Sequence, residues 1–95
     1  MAKKKQKDSY VIIEKLRETN AILDMRVTND YTKAKQFVQE RFDEETISAK
    51  ITQQSAELMP STVKDETPIW CDENTILFSV CGNRKSLQII PCKTL

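Results

Sequence analysis

Few residues in this chain have the type and spacing that chemistry needs. It has no histidine and a single glycine, Gly82, among 95 residues. Histidine is the usual general base near neutral pH, and glycine provides the close backbone approach that cradles phosphates. Without them most hydrolytic and nucleotide-dependent mechanisms lose their usual parts. The strongest nucleophile candidate is Cys81, which adjoins Gly82-Asn83-Arg84-Lys85. Neighbouring cations favour a thiolate, but no imidazole exists to pair with it, so a packed thiol at a strand end is the favoured reading.

The carboxylate clusters are Asp43-Glu44-Glu45 and Asp72-Glu73. Adjacent carboxylates point in different directions along a chain, and neither cluster has the spacing or the glycine of a calcium loop. The three cysteines, Cys71, Cys81 and Cys92, form no C-x-x-C pair. They are expected to be reduced, buried thiols that hold no zinc. The expectation is therefore no enzyme, no catalytic residues, no metal and no cofactor.

Charge is unevenly distributed. Lys3, Lys4, Lys5 and Lys7 are four of the 15 positive charges, which leaves 11 positive against 14 negative residues in the rest. Residues 1–8 read as a basic, flexible tail on a single domain spanning 9–95. No apolar run is long enough to cross a bilayer or to form a signal-peptide core, which points to the cytoplasm.

The elements follow from periodicity. Ser9 to Arg17 puts Tyr10, Ile12 and Leu16 on one face and Val11 and Ile13 on the other, a strand pattern. Thr19-Asn20 marks a turn, and Ala21 to Thr28 alternates again, so the two segments predict an antiparallel hairpin. Asn29-Asp30 reads as a helix start. Tyr31, Ala34, Phe37, Val38 and Phe42 recur at helical steps, which predicts an amphipathic helix of about three turns. Asp43-Glu44-Glu45 opposes the negative end of the helix dipole and is expected to stop it.

Ile47, Ala49 and Ile51 alternate with Ser48, Lys50 and Thr52, which reads as a third strand. Residues 60–68 form a proline-bracketed loop. Residues 75–81 and 86–90 predict a second hairpin around a Gly82-Asn83 turn, with Arg84 and Lys85 in its tip. Pro91 should limit the last strand or put it at an edge.

The expected fold class is α+β, one amphipathic helix packed on a mostly antiparallel sheet of about five strands in the order β-β-α-β-β-β. The far face of that sheet is expected to be polar, carrying Lys50, Thr52, Ser79 and Gln88, and to serve as a contact surface. This order of elements resembles, in layout and without a shared residue motif, tiny proteins carried by phages and mobile elements, some anti-CRISPR inhibitors among them. The resemblance implies a protein that works by binding.

The reading that results is a small non-enzymatic interaction protein, an inhibitor or accessory factor, with a protein partner contacted through Trp70, Lys50 and Gln88. Trp70 has two roles open to it, a cap on the core or an exposed anchor. The alternative is a nucleic-acid-binding accessory protein that uses Lys3, Lys4, Lys5, Lys7, Arg84 and Lys85. A homodimer through exposed edge strands is a third reading.

Overall fold

The computed structural model describes residues 8–93. The basic tail, with Lys3, Lys4, Lys5 and Lys7, lies outside the described residues. Strands β1 (Asp8–Leu16) and β2 (Ile22–Thr28) form the opening hairpin, and helix α1 (Tyr31–Leu58) follows. Strands β3 (Ile69–Asp72), β4 (Thr75–Val80) and β5 (Asn83–Lys93) complete the chain. All pairings are antiparallel, and the sheet order is β2-β1-β5-β4-β3. The fold is α+β, one helix on a five-stranded antiparallel sheet. No helix among the described residues is long and apolar enough to cross a membrane.

The core lies between α1 and one face of the sheet. Ile12, Ile76, Phe78, Leu87 and Ile89 project from β1, β4 and β5 onto Ala34 and Val38 of the helix. The small Ala34 lets the helix backbone approach the sheet, and Phe37, Phe42 and Trp70 close the margins. Asp30 caps the helix, since its carboxylate accepts from the amides of Thr32 (2.9 Å) and Lys33 (3.4 Å).

The helix is 28 residues long, so the third strand expected at residues 47–52 is its second half. The residues that turn inward there are Glu45, Ala49, Thr52 and Ala56, all half-buried or buried. They are small or polar, so the inward face carries no apolar signal. Ile47 and Ile51, which suggested a strand, are exposed on the outside of the helix. The acidic run does not end the helix. Well inside it the end effects of the dipole vanish, and Glu45 accepts from Arg41 at 2.8 Å while Asp43 accepts from Gln39 at 3.0 Å. The strand that follows the helix is instead Ile69–Asp72, beyond the proline-bracketed loop.

The turn of the β4–β5 hairpin sits one residue earlier than expected. Val80 pairs with Asn83, which leaves Cys81 and Gly82 as the loop, with φ of 53° and 83°. Two successive positive φ values are the signature of the turn whose twist matches a hairpin. Arg84 and Lys85 consequently belong to strand β5. Pro91 does not put β5 at an edge, because β5 lies between β1 and β4. The Ile89 amide donates across to Asn74 O at 2.8 Å, so odd-numbered β5 residues turn towards β4. Pro91 is the next of these, and it lies past Thr75, where β4 begins. Its missing N–H faces a side with no strand to receive it.

Candidate interaction surface

Between the layers sits a cluster of charges. Glu14 of β1 is 7% exposed and faces the helix. Its two oxygens accept from Arg41 Nη1 (2.8 Å) and Nη2 (3.2 Å), and Lys85 Nζ of β5 lies 3.4 Å away. Arg41 also holds Glu45 and lies over the Phe78 ring, 5.2 Å from its centroid. Burial pushes the Glu14 carboxyl upward, yet Arg41 and Lys85 together outweigh it and hold the group below its ordinary value. Hydrogen bonding to Glu14 likewise raises Arg41. These charges neutralise one another, and the cluster works as a clamp between helix and sheet.

The opposite face of the sheet lies away from the helix. The 60–68 loop covers it at Ser79, and much of the remainder is apolar where a polar surface was expected. Strand registers arrange it in rows. Val27, Val11 and Ile90 stand side by side across β2, β1 and β5. The next row is Met25, Ile13, Gln88 and Thr75. A third runs Ile22, Lys15, Ser86, Leu77 and Ile69. Val27 is 66% exposed, and Ile22, Met25 and Ile69 are each 54% exposed. Polar residues break the rows only at Gln88, Lys15, Ser86 and Thr75.

This layout corrects the sequence reading of that face. Lys50 and Thr52 are on α1, which packs on the other side of the sheet, so neither lies on that face. Ser79 is buried, and its hydroxyl donates to Asp65 Oδ1 (3.3 Å) and accepts from the Glu66 amide (2.7 Å). Of the three partner-contact candidates, Gln88 alone lies on the open face. Trp70 is half-buried in β3, stacked on Phe42 with centroids 5.9 Å apart and roofed by Lys35 Nζ at 4.3 Å. Its ring is held by two residues of α1, as a packing residue requires.

Arg84 and Lys85 do not form a basic tip. Adjacent residues of a strand point to opposite faces, so Lys85 turns inward to Glu14 while Arg84 turns to the open face. There Arg84 lies 3.7 Å from Glu66, which also accepts from Arg17 at 2.6 Å. Arg17 spans β5 to donate to Phe78 O at 3.1 Å as well. One end of the open face is thus charged and internally paired, and the apolar rows lie on the β1–β2 side of the rest.

The three cysteines are free and exposed, not buried as expected. Cys81 is at the hairpin tip, where its amide donates to buried Asp65. Within the acidic clusters Asp43, Glu45 and Asp72 are engaged locally, and Asp72 accepts from the Asn74 amide at 2.8 Å. Tyr31 Oη in turn donates to Asn74 Oδ1 at 2.6 Å, beside a shallow hollow of about 410 Å³ bounded by Asp72, Thr75, Gln88 and Pro91.

Sequence reasoning did not join Val11, Ile13, Met25, Val27, Leu77 and Ile90 into one open face. The signal was present in the runs Val11-Ile12-Ile13 and Ile89-Ile90, which make strands apolar on both faces. A single helix covers one face only, so the other must stay open or meet a partner. No protein-family model, curated protein or solved structure matches the chain.

Proposed function

We propose that this chain is a non-enzymatic interaction protein that binds a protein partner through the open face of its sheet. The observation that carries the reading is the pair of adjoining apolar rows Val27-Val11-Ile90 and Met25-Ile13, exposed at Met25 and Val27 and half-buried elsewhere, with Leu77 beyond Gln88 and Ser86. An apolar surface patch rimmed by polar and charged groups is characteristic of protein contact sites. An inhibitor or accessory factor needs no more than this. Nucleic acid is the less favoured ligand, because Arg84 is paired with Glu66 and Lys85 with Glu14.

The test is site-specific photo-crosslinking in the cell of origin. A photoreactive residue replaces Leu77 on the open face or, as a control, Lys50 on the outer helix. The expected result is a discrete protein adduct from position 77 that survives nuclease and is absent from position 50. Equal labelling from both positions would overturn the reading. An adduct that disappears with nuclease would transfer it to nucleic acid.

A further inference from the structure

The sheet ends on one side at β2, a seven-residue strand (Ile22–Thr28) with neither proline nor lysine in it. Natural edge strands are blunted by such residues, by bulges and inward-pointing charges, or kept short. The two helix-side charges of β2, Asp24 and Arg26, are of opposite sign and pair with each other. The opposite edge is blunted: β3 has four residues, follows Pro68 and carries an irregularity in its pairing. On β2 a bulge at Leu23 affects only the start of the strand and leaves residues 24–28 in regular register with β1.

The free backbone groups of this edge can be assigned. The Leu16 amide donates to Ala21 O (2.9 Å), whereas the Arg17 amide donates to Arg84 O (3.0 Å) in β5. Even-numbered β1 residues therefore turn towards β2, and their partners Asp24, Arg26 and Thr28 turn back to meet them. Met25 and Val27 direct their N–H and C=O groups outward. The same two side chains belong to the apolar face, while Asp24 and Arg26 share the helix-side face.

We propose that a second copy of this chain pairs with β2, antiparallel and about a two-fold axis at Met25, to make one continuous ten-stranded sheet. Charge selects the register. A two-fold axis normal to the sheet keeps both open faces on one side. Centres near either end of β2 leave fewer residues paired, and among the central positions Asp24, Met25 and Arg26 charge makes the choice. An Asp24 centre sets Asp24 against its own copy, and an Arg26 centre does the same for Arg26. Like charges directly opposite each other are destabilising. The Met25 centre sets Asp24 against the Arg26 of the second copy, twice, on the helix side. On the other side it joins the Met25 and Val27 rows of both copies into one apolar strip. Asp24 and Arg26 already lie 3.1 Å apart within one chain and are both well exposed, so both can reach across. The pairing needs no occupant on the open face, so it stands or falls separately from the proposed function.

The test is sedimentation of the purified full chain over a concentration series, with variants D24R and R26D alone and mixed. The native chain should move from 11.0 kDa to twice that mass as concentration rises. Each variant alone sets like charges in both positions, and its dissociation constant should rise about tenfold or more. An equimolar mixture should regain association, because each replaced residue then faces its opposite charge. D24R leaves the contact of Arg26 with the Phe37 ring intact and carries the test alone should R26D not fold. Hydrogen exchange at the Met25 and Val27 amides should slow as the native dimer forms. A native chain that stays monomeric at all concentrations would sink the proposal. So would a D24R variant that associates as tightly as the native chain.

Discussion

Asp65 holds the β4–β5 turn with both oxygens of its carboxylate. The Gly82 amide donates to Oδ1 at 2.9 Å and the Cys81 amide to Oδ2 at 3.1 Å. Its own backbone is tied to the helix, because its amide donates to Thr52 Oγ1 and its carbonyl accepts from Gln53. Asp65→Ala removes a buried carboxylate and strips two part-buried turn amides of their acceptor, which should cost about 1–3 kcal/mol in urea unfolding. The neighbouring Cys81 carries a strained backbone for a residue with a side chain, at φ 53°. Asn tolerates that region far better, so Cys81→Asn should stabilise by about 0.5–1 kcal/mol in the same assay. Gly82 is the better-fitted half of the turn, since an added Cβ would meet Val63 Cγ1 at 3.1 Å. The turn itself was legible from Gly82. The role of Asp65 was not, because 16 and 17 residues separate it from the amides it holds, and nothing local announces such a contact.

At the scale of elements, the attachment of α1 to β1 and β5 depends on the Glu14 cluster, and this attachment should respond to acid. The folded-state pKa of Glu14 lies below its ordinary value of 4.5. A depressed carboxylate contributes stability that is fully present above about pH 4.5 and is lost as pH falls through the folded value. Urea midpoints of the native chain and of Glu14→Gln should therefore converge between about pH 6 and about pH 3. Arg41→Met leaves Glu14 buried with Lys85 as its remaining partner. The expected loss is about 2–3 kcal/mol near neutral pH, short of the ~3–5 kcal/mol for a wholly unpaired buried charge. The same helix shows where sequence reading stops. Its first half was legible because Ala34, Phe37, Val38 and Phe42 give one apolar stripe. Its second half was not, because Ala49 and Thr52 face inward while Ile47 and Ile51 face water. Both opening strands were legible by alternation. Which of their faces met the helix was not, since apolar Met25 and Val27 face away while Arg26 reaches over the Phe37 ring.

The whole molecule is two layers deep, and its stability is concentrated on one side of the sheet. Adjacent residues of β4 provide the comparison. Phe78 is fully buried under the helix, against Val38 and beneath the Arg41 guanidinium. Leu77 belongs to the open face and is half-buried between Ser86 and Ile69. A domain of this length has a total stability of about 5–14 kcal/mol. Phe78→Ala removes a core ring and leaves a cavity, which should cost about 3–5 kcal/mol, a large share of that total. At about 4–8 °C per kcal/mol for a chain of this size, the melting temperature should fall by at least about 12 °C. Leu77→Ala gives up much less buried area and leaves no closed cavity, so its cost should stay near about 1 kcal/mol. Thermal melts of the two variants side by side measure this contrast. Losses of equal size would mean that the face beyond the helix is already covered in the free protein, and the open sheet would no longer be available as a binding surface.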